Sequence, residues 1–182
     1  VEDLSKDNVV YAEIRFSPIL HTKKNLTIED ALRSVKTGLE KGSKKFGIKY
    51  GIIICGIRSI DPAVSIKLAE LAVDYKNDGV VGFDLAGAEY NYPAKKHKEA
   101  FYIIRNNNIN TTIHAGEAFG PESIHQAIHT CGANRIGHGI RLLEDPDLMS
   151  FINDHRICLE ICITSNYHTG AVKSFKDHPF KF

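Results

Sequence analysis

Residues 110–117 read NTTIHAGE. A β-branched run, Thr111-Thr112-Ile113, leads into His114, an Ala-Gly pair and Glu117. Such a run reads as a strand. Along a strand, residues three apart face opposite sides. His114 and Glu117 can therefore share one pocket only if the chain turns between them. Ala115 and Gly116 permit that turn, because glycine accepts backbone angles closed to other residues. A neutral imidazole is the commonest metal ligand. A carboxylate beside a metal-activated water is a natural proton carrier. On spacing alone, a surface turn with two unrelated polar side chains accounts for the stretch equally well.

Working outward, short β-branched runs recur: VVYAEIRF (9–16), YGIIICGI (50–57), VVGFDL (80–85), TTIH (111–114), RIGHGI (135–140) and ICLEICI (157–163). Most are apolar on both faces, as strands buried between two layers should be. Helical spacing separates them. Ile28, Leu32, Val35 and Leu39 repeat behind Thr27 as N-cap, and Val64, Leu68, Leu71 and Tyr75 behind Asp61 and Pro62. Ala94 to Arg105 is a third helical stretch, and Pro121 and Pro146 open two more, the last behind Asp145. Six strand–helix units with crossover-length connections imply parallel strands. An open doubly wound sheet could be complete at six strands. A (β/α)8 barrel takes about 250 residues and would be two strands short. No GxGxxG turn follows the first strand, which favours the barrel.

Composition sets outer limits. The 182 residues suit one domain, spanning 1–182. With 23 basic and 22 acidic side chains, the net charge of +1 offers no electrostatic footprint for nucleic acid or an anionic membrane. No run approaches the ~20 apolar residues a bilayer crossing needs. Four cysteines without a CxxC pair read as buried free thiols of a reducing, cytoplasmic compartment. The chain starts without Met, and neither VEDLSKDNVV nor HPFKF reads as a natural terminus, so the lack of a leader peptide carries no information.

Polar residues gather where strands end: Arg15 to Pro18, Ala86 to Glu89, His114 to Glu117, Gly137-His138-Gly139 and Thr164 to Asn166. Parallel α/β folds build their sites at C-terminal strand ends. The glycines flanking His138 would let backbone or ligand approach its ring. His125 and His129, four apart on a predicted helix, echo the HExxH zinc helix, but Gln126 stands where the general base would be. They are expected to face solvent, as are Lys95, Lys96 and Lys98 around His97.

The segments AEIRFSP (12–18), GFDLAGAE (82–89), TIHAGEAFGPESI (112–124), RIGHGIRLLEDPDL (135–148) and LEICITSNYHTGAV (159–172) together resemble adenosine deaminases of the metal-dependent (β/α)8 type. The similarity runs over nearly the whole chain, and HAGE followed by GHG is its most specific pairing. The resemblance implies an incomplete TIM barrel, about six of eight βα units, and a purine nucleoside substrate. The implied reaction is zinc-dependent hydrolytic deamination of adenosine, or 2'-deoxyadenosine, to inosine and ammonia. His114 matches a ligand of the catalytic Zn2+. Glu117 matches the acid that protonates the purine ring at N1, a role that needs its protonated form. His138 matches the histidine that orients or deprotonates the attacking water, and Gly87 a glycine whose backbone contacts the purine. Ile163 departs from the pattern, which commonly has Pro after the cysteine. The family's His-x-His pair and paired aspartates are not found in these residues, so the chain by itself is expected to be inactive. Strands left open at the edges imply self-association. An AMP or adenine deaminase, or a non-catalytic interaction module, are the other readings.

Overall fold

Six strands lie side by side in chain order: β1 (Tyr11–Phe16), β2 (Lys49–Ile57), β3 (Val80–Ala86), β4 (Asn110–Ala115), β5 (Arg135–His138) and β6 (Cys158–Glu160). Every neighbouring pair is parallel. The structure, a computed structural model, describes residues 1–181. An unbroken strand order excludes the doubly wound alternative, whose order reverses at a switch point. It is the order of a barrel wall.

The wall is curved enough for its ends to meet. Arg15 on β1 lies 3.2 Å from Glu160 on β6, and Arg135 on β5 lies 2.6 Å from Glu13 on β1. Pairing in register puts Arg15, Asp84, His114, Gly137 and Glu160 on one concave face. The convex face carries Ile52, Ile54, Phe83, Leu85, Ile113 and Ile136, all buried. The expectation of strands apolar on both faces therefore needs correction. Apolar residues face the helices, while the inner face is charged, because a half-barrel has a polar mouth to line.

Helices accompany the strands: α1 (Glu2–Lys6), α2 (Ile28–Phe46), α3 (Pro62–Asp74), α4 (Lys98–Asn106), α5 (Pro121–His125), α6 (Pro146–Asp154) and α7 (Ile163–His168), of which α2, α3 and α4 pack on the convex side and α7 lies at the C-terminal strand ends. Their starts follow local chemistry. Thr27 and Asp30 form a reciprocal capping box, each side chain taking the other's backbone N–H at 3.0 Å. Asp61 accepts from the Ala63 amide, and Asp145 from the Leu148 amide. The longer helices then bury apolar stripes: Leu32 and Leu39 on α2, Leu68 and Leu71 on α3, Phe101 and Ile104 on α4. Phe101 meets Phe83 edge-on, with ring centroids 5.5 Å apart. α5 passes into a π-helical turn over Gln126–Thr130. Among the described residues no helix is long and apolar enough to cross a membrane.

Three sequence expectations shift. The strand expected over 135–140 stops at His138, because His138 and Gly139 both adopt left-handed backbone at φ 67°. The strand expected over 157–163 stops at Glu160, and Ile163 opens α7 instead. Of the cysteines, Cys55 and Cys131 are buried, but Cys158 and Cys162 are exposed on and just after the edge strand. Burial pushes the Cys131 thiol up to about 12 and that of Cys55 further.

Candidate active site

The turn after β4 is tight and glycine-dependent. Gly116 sits at φ 72°, and a Cβ there would come within 2.4 Å of the Ile124 side chain. Next door, a Cβ on Gly137 would lie 3.1 Å from the His114 Cα. β4 and β5 therefore bring His114 and His138 together, and their ring centroids stand 5.2 Å apart. The predicted pair of histidines at neighbouring strand ends is thus real.

His114 is held from three directions. Its Nδ1 lies 3.1 Å from Asp84 Oδ2 and 3.2 Å from Oδ1. Asp84 is fully buried on β3. A carboxylate only accepts, so the neutral imidazole carries its hydrogen on Nδ1 and leaves the Nε2 lone pair free. That is the arrangement found around metal-ligating histidines. Arg58 donates to the His114 carbonyl at 2.6 Å and to the Tyr92 carbonyl at 2.7 Å, fixing the backbone. Gly137 packs against the third side. Among the described residues no group of three or more His, Cys, Asp or Glu side chains is gathered to hold a metal ion. His114 fits as one contributed ligand, not as a whole site.

Glu117 and His138 meet through Asn166, which is fully buried on α7. Asn166 Nδ2 lies 2.6 Å from Glu117 Oε1 and 3.0 Å from His138 Nδ1. Its Oδ1 lies 3.0 Å from His178 Nε2, and His178 Nδ1 accepts from the Phe180 amide at 3.1 Å. That chain of partners orders the hydrogens: His178 donates to Asn166, and both Asn166 amide hydrogens point at Glu117 and His138. A neutral His138 then carries its own hydrogen on Nε2. Glu117 Oε1 also accepts from Thr169 Oγ1 at 3.1 Å and stands 3.4 Å from His138 Nδ1. Burial holds the His138 imidazole below the ordinary histidine range; the Glu117 carboxylate opposes this and nearby His114 adds to it. Left-handed backbone in a non-glycine residue is costly and clusters at functional sites.

Gly87 follows β3 on the same rim at φ 97°, where a Cβ would sit 3.3 Å from Ile57. No hydrogen bond ties it to the other three. His125 and His129 are exposed on the outer layer, as expected, with ring centroids 4.3 Å apart. Lys95, Lys96 and Lys98 are exposed, but His97 between them is buried. A shallow pocket of about 320 Å3 touches Glu117, Arg141 and Thr169. A larger apolar cavity of about 410 Å3, lined by Leu142, Met149 and Leu159, includes neither His114 nor Glu117 and is not where the chemistry collects.

Sequence reasoning missed four supporting residues. Asp84 had a visible signal, a lone carboxylate inside the apolar run VVGFDL. Glu89 and Asn166 stand out in the sequence only as polar residues at strand ends. Arg58, buried just past β2, looks like any loop arginine in sequence.

The family model described as adenosine deaminase matches residues 1–182. The chain belongs to the adenosine deaminase family. An adenosine deaminase of Mycobacterium marinum is 46% identical over 196 residues, covering 99% of this chain and 54% of that protein. The chain thus spans about half the length of the curated relatives it matches. Among solved structures, an adenine deaminase from Arthrobacter aurescens superposes with a TM-score of 0.91 at 25% identity, over 99% of this chain and 55% of that one. A Burkholderia ambifaria amidohydrolase with bound Zn gives the same TM-score at 23% identity, over 99% and 51%. The adenosine deaminase fold accounts for the curved six-stranded wall as part of a barrel.

Proposed function

We propose that the protein carrying these residues performs zinc-dependent hydrolytic deamination of adenosine, giving inosine and ammonia. Residues 1–182 are read as part of one catalytic domain. The observation that carries the reading is the convergence of His114, Glu117 and His138 at the C-terminal ends of β4 and β5, with Asp84 holding a metal-ready imidazole and Asn166 holding both an acid and a water-orienting imidazole.

His114, with Nε2 freed by Asp84, would hold zinc together with ligands from residues outside this chain. When bound, the metal supplies activation of water as a nucleophile at neutral pH. Glu117 donates its proton to the purine ring nitrogen as the water oxygen adds to C6. His138 orients that water; the hydrogen it carries on Nε2 favours this role over proton abstraction. The C6–N bond then breaks as one proton of the water goes to the departing amine and the other restores Glu117, so that ammonia leaves and the ring carbonyl of inosine forms. Gly87 presents bare backbone to the purine edge.

The test uses the full-length protein. Conversion of adenosine to inosine is followed by absorbance, with adenine and AMP as competing substrates. Glu117→Gln keeps the shape but cannot supply the proton, so kcat should fall by about 10²–10⁴-fold. Unchanged turnover in that variant would sink the assignment. Preference for adenine or AMP would move the protein elsewhere within its family.

A further inference from the structure

Glu89 is 8% exposed and stands three residues beyond β3. Its carboxylate is surrounded by four consecutive backbone amides of another loop. Oε1 accepts from Gly116 N at 2.6 Å. Oε2 accepts from Glu117 N at 3.1 Å, Ala118 N at 2.7 Å and Phe119 N at 3.1 Å. Successive amides aimed into one concavity form an anion-binding nest. Here the anion comes from the chain itself.

The nest has a specific bearing on Glu117. Its backbone amide lies in the middle of the run, while its side chain turns the other way, to Asn166 and Thr169. Glu89 makes no hydrogen bond to that side chain, so it grips the acid only from behind. Gly116, at φ 72°, is what lets four amides converge. Charge-assisted bonds from amides to a carboxylate are the stronger class of hydrogen bond.

We propose that Glu89 is a positioning residue: as an internal anion it sets the loop that aims Glu117 at the substrate, acting through backbone alone. This rests on the reading of Glu117 as the proton donor. Misplacing a reacting group by about 1 Å can cost about 100-fold. In the full-length protein, Glu89→Gln turns one acceptor oxygen into an NH2 facing the amides. The expected result is a fall in kcat of about 10–100-fold with KM changed less than about threefold. In a Glu117→Gln background the same change should add almost nothing to the loss in kcat, because the two residues act as a unit.

Hydrogen exchange of the 116–119 amides supplies a readout independent of turnover. These amides should be protected in the parent and exchange fast in Glu89→Gln, while the β2 and β3 amides stay protected. If Glu89→Gln does not fold, Glu89→Asp, which keeps the charge but shortens the reach, takes its place with a smaller loss. Unchanged kcat, full additivity with Glu117→Gln, or unaltered exchange would each overturn the proposal. If Glu117→Gln alone leaves activity intact while the amides still deprotect, the function assigned to Glu117 fails and the nest stands.

Discussion

Asp84 Oδ2 and His114 Nδ1 stand 3.1 Å apart, the carboxylate wholly buried and the imidazole reaching toward the mouth. Asp84 is also 3.4 Å from Arg15 Nη1 and from Cys55 Sγ, so its position is fixed from several sides. Replacing it with Asn keeps the volume but removes the obligatory acceptor. For Asp84→Asn in the full-length protein we predict zinc affinity weaker by about 10–100-fold, measured by competition with a chromophoric chelator. Equal affinity in parent and variant would show that the His114 tautomer does not matter.

Asn166 is the second lever. Asn166→Ala leaves a buried imidazole, His178, without its acceptor and Glu117 without its shortest donor. Each buried polar group left unsatisfied costs about 1–3 kcal/mol. We expect a lower unfolding midpoint together with a loss of kcat. A variant that lost stability but kept full kcat would leave Asn166 a purely structural residue.

Gly116 makes a sharper stability prediction. Gly116→Ala adds a methyl 2.4 Å from Ile124 and forces a side chain onto left-handed backbone. The strained conformation alone costs about 1–3 kcal/mol, and the overlap adds to it. Urea denaturation should show a midpoint shift larger than for Gly38→Ala, where nothing lies within 4 Å of the added atom.

His97 predicts a pH dependence. It is buried, with Nδ1 2.8 Å from Ser65 Oγ and Nε2 3.2 Å from the Arg58 carbonyl. Desolvation holds its pKa below the ordinary value; the Arg58 and Lys96 charges act the same way, against the Arg58 carbonyl bond and Asp61. The unfolded chain therefore takes up this proton first, at pH about 6.5. The contribution is complete above that pH and is lost as pH falls from there toward the folded-state value. Unfolding free energies measured between pH 7 and 5 should decline less steeply in His97→Gln than in the parent. Identical slopes would mean that another group carries the acid sensitivity.

The motif NTTIHAGE was legible because period-2 patterning and a glycine turn are local, and local rules act within a few residues. So were Thr27, Asp61 and Asp145 as caps. Spacing and composition favour the barrel over the open sheet only through the absence of a glycine-rich turn, the resemblance implies it, and the strand order decides it. The supporting residues stayed hidden for a physical reason. Asp84 and His114 are 30 positions apart, Asn166 and Glu117 are 49 apart, and only the fold makes them neighbours. The ends of β5 and β6 are overrun in the sequence because apolar residues continue past them in RIGHGI and ICLEICI, and hydrophobicity does not record a left-handed turn such as the one at His138.

Glu13, Arg135, Glu160 and Arg15 form a chain of alternating charge across the inner face, ending on Asp84. Removing an interior member takes one partner from the charge on each side, whereas removing Glu13 and Arg135 together leaves the remaining charges alternating. Substitutions at these five positions should therefore be inherited in pairs. Among relatives, the wall on which the site is built should vary as a coupled set, even where the helices outside it have drifted freely.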